Sequence, residues 1–245
     1  MSIRRSRPIV DQIDEILRQR IYDDVYPPGY RLPSESELLQ EFGVSRATIR
    51  TALTRLATEG LILRKQGDGT YVNEHLHDVN AELGGLWEYV RLIHRSGYQA
   101  AIRLLQVEQR PATPAETDAL ALEMNQGQEV VFLKRLFLAD GQPAILTANA
   151  IPRHLFQREL AQTDTSIPLP RLLQLYCQQH IAYAIFDIRA AIATADVAAL
   201  LQRPPAEPLL KIVTTFYNAR NEPLVHGTSY YDDQLLSLRL IQTWT

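Results

Sequence analysis

The chain opens on a helical stripe. Ile9, Ile13, Ile16, Leu17 and Ile21 recur at three- and four-residue spacing, which predicts an amphipathic first helix from about Ile9 to Asp24, ended by Tyr26-Pro27-Pro28-Gly29. Ser34 and Glu37 then stand at capping-box spacing, so a short second helix is expected through Leu38, Leu39 and Phe42, with Gly43 closing it. Ser45 is a good N-cap for a third helix, Arg46 to Thr58, whose Ile49, Ala52, Leu53 and Leu56 repeat at i, i+3, i+4 and i+7. After Glu59-Gly60 the period changes. Two apolar runs flank Gly67-Asp68-Gly69, which reads as a hairpin with a glycine-bearing tip. Three helices followed by such a hairpin predict a winged helix.

Two short helices joined by the tight Val44-Ser45 turn place the N-terminus of the second in a DNA major groove. Arg46, Ala47, Thr48 and Arg50 fall in its first turns, off the apolar face. Arginine matches guanine O6/N7, and threonine can contact a base, a thymine methyl or a phosphate. Gly67 and Gly69 leave the hairpin tip without bulk, so its backbone can approach a phosphate or a minor groove. Charge totals add little: the net charge is −3, and residues 1–75 hold eleven basic and eleven acidic residues. Placement is more telling, since residues 44–65 carry five basic side chains and one acid, Glu59. Each feature taken alone also suits a helical bundle that never touches DNA.

Residues 72–80 are polar with little periodicity, and a linker is expected at 76–81 between domains at 1–75 and 82–245. Beyond it lies an internal echo. A helix near Ala115–Leu120 leads to strand Val130–Leu138, the turn Asp140-Gly141, Gln142-Pro143 and strand Ala144–Ile151. About eighty residues later Ala195–Leu200 leads to strand Leu209–Tyr217, a turn at Asn218–Asn221, Glu222-Pro223 and strand Leu224–Tyr231. Helix-then-hairpin twice implies one closed domain, an antiparallel sheet of two related halves with helices on one face. The fold class is therefore α+β in two domains.

Several classes are excluded or lack support. No apolar run approaches the roughly 20 residues needed to span a bilayer, and no apolar stretch follows the basic start to suggest a secretory signal. The single cysteine, Cys177, rules out an internal disulfide and suits a reducing cytoplasm, where it is expected to be buried. Glu74, His75, His77 and Asp78 cluster in the linker, where such side chains usually remain solvated, so no metal is expected. No nucleophile elbow, His-x-x-x-His pair or phosphate loop is present, and no cofactor is expected.

The run LPSESELLQEFGVSRATIRTALTRLATEGLILRKQGDGTYV resembles the DNA-binding signature of the GntR family along its whole length. By position the resemblance implies base and phosphate contacts from Arg46, Thr48 and Arg50, wing contacts from Gln66 and Gly67 beside the bulk-free Gly69, and backbone contacts from Ser34 and Ser36. Ala47 is polar in some relatives. Residues 82–244, carried mainly by LFLADGQPAILTANAIP, resemble the UTRA sensor domain of the HutC subfamily, which has the chorismate-lyase fold. Sugar-phosphate sensors of that kind carry an Arg-x-Arg pair where this chain has Arg135 and Phe137. Thr147 and Val225 replace their glutamates, Tyr183 replaces an arginine, and their Tyr-Arg-Gly-Asp ending reads Tyr231-Asp232-Asp233. The resemblance thus implies a cytoplasmic homodimer that binds a two-fold operator and answers to a small effector other than a sugar phosphate. Arg135 either anchors that effector or forms a structural salt bridge. The rival readings are a chorismate-lyase-fold enzyme and a DNA-binding protein without a ligand.

Overall fold

In the computed structural model, residues 8–75, 89–123, 128–236 and 238 are described. They fall into two compact units, and the linker expected at 76–81, with His77 and Asp78, lies outside the described residues.

The first unit is built as its pattern dictates. Helix α1 (Ile9–Tyr22) buries Ile13, Leu17 and Ile21. It stops two residues before the expected end, where Asp24 turns to a φ of 55°. Helix α2 (Glu35–Phe42) starts at a complete capping box: Glu37 N–H donates to Ser34 Oγ at 3.2 Å, and Ser34 N–H donates to Glu37 Oε2 at 2.7 Å. Gly43, at φ 62°, ends it in the left-handed conformation that only glycine adopts without strain. Helix α3 (Arg46–Thr58) turns Ile49, Ala52, Leu53 and Leu56 inward. These side chains join those of α1, Leu38, Leu61, Ile62 and Val72 in one core. Strands β1 (Ile62–Lys65) and β2 (Gly69–Val72) pair antiparallel, Ile62 opposite Val72.

The second unit is a six-stranded antiparallel sheet. After helix α4 (Tyr89–Arg95) come β3 (Ala100–Pro111), helix α5 (Pro114–Ala119), β4 (Glu129–Ala139) and β5 (Gln142–Pro152). Helix α6 (Leu169–Cys177) follows, then β6 (Tyr183–Ile192), helix α7 (Ala195–Leu201), β7 (Pro208–Tyr217) and β8 (Pro223–Tyr231). The strand order β3-β4-β5-β8-β7-β6 makes the internal echo visible, with two strand–helix–hairpin halves meeting at β5 and β8.

Helices cover both faces, not one. Val131 and Leu133 of β4 pack against Leu169, Leu172, Leu173 and Cys177 of α6. The alternate residues Leu136 and Leu138 meet Val197, Ala198 and Leu201 of α7. The physical reason was available in the sequence: β4 and β5 are near-continuous apolar runs, the mark of strands buried on both sides. Cys177 is buried, and its thiol is pushed up to about 12 by desolvation.

Candidate functional site

Two surfaces carry the chemistry, one in each unit. In the first, Ser45 accepts from the Thr48 N–H at 3.2 Å and its hydroxyl lies 2.8 Å from Thr48 Oγ1, so the Thr48 side chain belongs to the cap of α3. Arg46, Ala47 and Arg50 are exposed beside it. Among the described residues the Arg50 side chain meets only Glu35 Oε1, at 3.2 Å, a surface ion pair that a competing anion can open. Ser34 caps α2, and Ser36 stands exposed two residues on. Strand β1 is tied to this surface, because Arg64 donates to Thr54 Oγ1 at 3.1 Å.

At the wing tip Gln66 and Gly67 are exposed, and Gly67 and Gly69 have φ of 77° and 143°. Arg31, which the sequence reading passed over, donates to the Asp68 carbonyl beneath the tip. A Cβ on Gly69 would stand 2.9 Å from Arg31 Nε. Arg31 reaches this place because its backbone bridges Tyr71 and Leu32 N–H donates to Thr70 O, extending the hairpin by a third short strand. Lys65 lies 4.5 Å from the Tyr71 ring centroid. Arginine and lysine side chains thus flank a bulk-free tip next to the exposed start of α3.

In the second unit, Arg135 is fully buried in the middle of β4. Its Nη1 donates to the Ile167 carbonyl at 2.8 Å, while Nε and Nη2 have no partner among the described residues. Among the described residues no carboxylate pairs with it. Burial pulls the guanidinium down to about 10, still protonated at neutral pH. A buried cation with two idle donors is expensive unless something negative arrives.

The sheet register supplies its neighbours. Arg135 faces Thr147, which faces Ser229. One row along the same face, Leu133, Asn149, Gly227 and Thr214 stand in line. Asn149 Nδ2 and Thr214 Oγ1 are buried and, like the arginine donors, lack a partner among the described residues. Phe137 and Tyr89 form one wall, ring centroids 4.9 Å apart, with the Arg135 guanidinium 5.7 Å from the Phe137 centroid. Tyr89 OH lies 2.7 Å from Ser229 Oγ, and Tyr231 shares hydrogen bonds with both. Burial raises the pKa of both phenols, so they remain neutral.

Of the six residues expected here, Arg135, Phe137, Thr147 and Tyr231 share this face. Val225 points the same way but packs into apolar core with Leu133 and Phe216. Tyr183 does not join them. Its neighbour Ala184 takes the Arg135 side, so Tyr183 alternates to the opposite face, exposed and stacked 4.9 Å from Tyr217. Asp232 is also accounted for: it accepts from Arg203 Nη1 at 2.6 Å and ties β8 to the end of α7. Asn149, Thr214, Ser229 and Tyr89 were missed. Only Asn149 carried a signal, as an amide in the middle of a largely apolar strand, where asparagine is depleted.

The model of the bacterial regulatory proteins of the gntR family matches residues 9–72, and that of the UTRA domain matches residues 95–234, more than half of the chain. A histidine utilization repressor of Pseudomonas putida is 30% identical over 223 residues, 87% of this chain and 84% of its own length. The chain belongs to the GntR family, HutC type. Another relative, the regulator GmuR of Bacillus subtilis, is 32% identical over 145 residues, 57% of this chain and 58% of GmuR. The crystal structure of YydK, a possible transcriptional regulator of Bacillus subtilis, has the same fold, with a TM-score of 0.71 at 18% identity over 97% of this chain and all of that one. This GntR-family protein is a ligand-responsive, DNA-binding transcription regulator, its winged helix the DNA-binding domain and its UTRA domain the effector-binding one. Its relatives are regulators and not enzymes, so the enzyme reading falls. Among the described residues no helix is long and apolar enough to cross a membrane.

Proposed function

We propose that the regulator binds a two-fold symmetric operator as a homodimer, one winged helix per half-site, and releases it when a small carboxylate enters the sheet face around Arg135. The observation that carries the effector class is the buried Arg135 with idle Nε and Nη2. A carboxylate satisfies both donors at once, as a planar bidentate pair. A phosphate group brings nearly two charges and three acceptor oxygens, and one arginine leaves much of that uncompensated. Asn149 and Thr214 offer unpartnered groups one row away, about 7 Å along the sheet. The effector is therefore a compact molecule with a carboxylate at one end and a hydrogen-bonding group at the other, flanked by Phe137 and Tyr89. The relative named for histidine utilization fits this class, since histidine itself bears a carboxylate.

On this reading Arg46 and Arg50 contact bases, Thr48, Ser34 and Ser36 lie toward the backbone, and Gln66, Gly67 and Gly69 bring the wing to the minor groove. Effector binding weakens the operator complex only if the ligand prefers one arrangement of the two heads, and the segment at 76–81 carries that change. Calorimetry against amino-acid-like carboxylates and sugar phosphates tests the effector class. Carboxylate binding that vanishes in Arg135→Met supports it. Micromolar sugar-phosphate binding that survives the substitution overturns it.

A further inference from the structure

The two edges of the six-stranded sheet are unlike. Edge strand β3 is broken by a bulge between Leu104 and Gln106, carries Arg103, Glu108 and Arg110, and ends in Pro111. These are the usual guards against pairing with another chain. Edge strand β6 lacks the bulge and the proline: it pairs with β7 without interruption from Tyr183 to Ile192, and its two charges, Asp187 and Arg189, are of opposite sign. Four of the twelve exposed large hydrophobic side chains among the described residues lie on it, Tyr183, Ile185, Ile188 and Ile192, the last being 63% exposed. A regular, apolar strand with an open row of backbone donors and acceptors is a template for β-addition.

The sequence of β6 names the partner. Written about Ile188, the strand is complementary to its own reverse. In an antiparallel pair with Ile188 opposite its counterpart, Asp187 faces Arg189 of the second copy, and Arg189 faces Asp187. Each larger apolar residue then faces an alanine: Phe186 meets Ala190, Ile185 meets Ala191, and Ile192 meets Ala184. Other two-fold registers lose this. Centring on Asp187 or on Arg189 sets like charges face to face, and a one-residue slip puts Asp187 opposite Ile188 or Ala190. Within one protomer Asp187 and Arg189 are only 3.6 Å apart at exposed positions, free to re-pair across an axis.

We propose that two copies of this chain join through β6, in antiparallel register about Ile188, to give a sheet continuous across the dimer. The inference rests on the homodimer reading above and specifies its surface. An isologous contact repeats every pair twice, so each substitution counts double.

The test uses the full-length protein. Sedimentation equilibrium of the wild type first establishes the dimer. Under mild oxidation Ile188→Cys should then give a disulfide-linked dimer, because facing Cα atoms in an antiparallel pair lie about 4.5–5.5 Å apart, within disulfide range. Ala190→Cys should not link, its two copies lying about 14 Å apart along the strands. Asp187→Arg should weaken self-association roughly tenfold or more by setting Arg against Arg189, and adding Arg189→Asp should restore it. A wild-type monomer at micromolar concentration would overturn the homodimer and this surface together. A wild-type dimer in which Ile188→Cys fails to link, or Asp187→Arg changes nothing, leaves the homodimer standing and overturns β6 as its interface.

Discussion

Asn149 and Gly227 are register partners on β5 and β8, and the carboxamide of Asn149 lies across the space that a side chain on residue 227 would fill. A Cβ there would collide with Asn149 Oδ1 and stand 2.8 Å from the Ala148 carbonyl oxygen. Gly227→Ala must therefore expel the Asn149 side chain or push β8 from β5. The expected cost is about 1–3 kcal/mol of stability, the usual range for overpacking a core. Effector affinity should fall with it, while the winged helix still binds DNA. Urea unfolding and calorimetry check both, and wild-type stability would mean that Asn149 yields freely.

Arg135→Met separates a ligand-binding arginine from a structural one by the sign of its effect. Removing a buried cation that has no carboxylate partner among the described residues, while keeping its volume, should leave the ligand-free protein as stable as the wild type, or more stable by about 1–4 kcal/mol. Induction by the effector should be lost. A clear drop in stability, measured by denaturant titration, would assign Arg135 a structural role.

The same arginine sets a pH dependence. Its folded pKa of about 10 lies well below the ordinary guanidinium value, so the cost of burying the charge is fully present below pH 10 and is relieved as pH rises through it. Stability of the wild type relative to Arg135→Met should rise as pH climbs above about 10, and carboxylate affinity should fall over the same range. Paired thermal melts and calorimetry across that range read both, and a flat difference would show that Arg135 does not titrate there.

Arg46→Ala and Arg50→Ala should each weaken operator binding by about 1–3 kcal/mol while leaving the fold intact. Arg50 has the further feature of its pair with Glu35, so Glu35→Gln should free the guanidinium and tighten binding slightly. Fluorescence anisotropy on operator DNA measures all three. Wild-type affinity in both arginine variants would move the interface elsewhere.

Gly69→Val places a branched side chain at φ 143° and against Arg31 Nε. The wing tip and the Arg31 hydrogen bond to Asp68 should be lost together, weakening DNA binding but not effector binding. Unaltered operator affinity would take the wing out of the contact.

The winged helix was legible residue by residue. Its determinants are local: the Ser34–Glu37 box, the Ser45 cap, the Gly43 stop and the stripe of α3 all act within one or two helical turns. The repeat of helix and hairpin likewise announced an antiparallel sheet in two halves. The strand order was not legible, because nothing in β5 or β8 says that they pair with each other across about eighty residues.

The sequence by itself determined which residues could form each element, and that Arg135 stood in a largely apolar strand where an anion site was expected. Only the tertiary structure decided what that cation meets. Strand register set Thr147, Asn149, Ser229 and Thr214 on its face and turned Tyr183 to the other, since a shift of one residue exchanges the two faces of a strand. Periodicity fixes alternation within a strand. Which alternate set looks toward Arg135 depends on hydrogen bonds between strands distant in sequence, and those form only when the whole sheet is assembled.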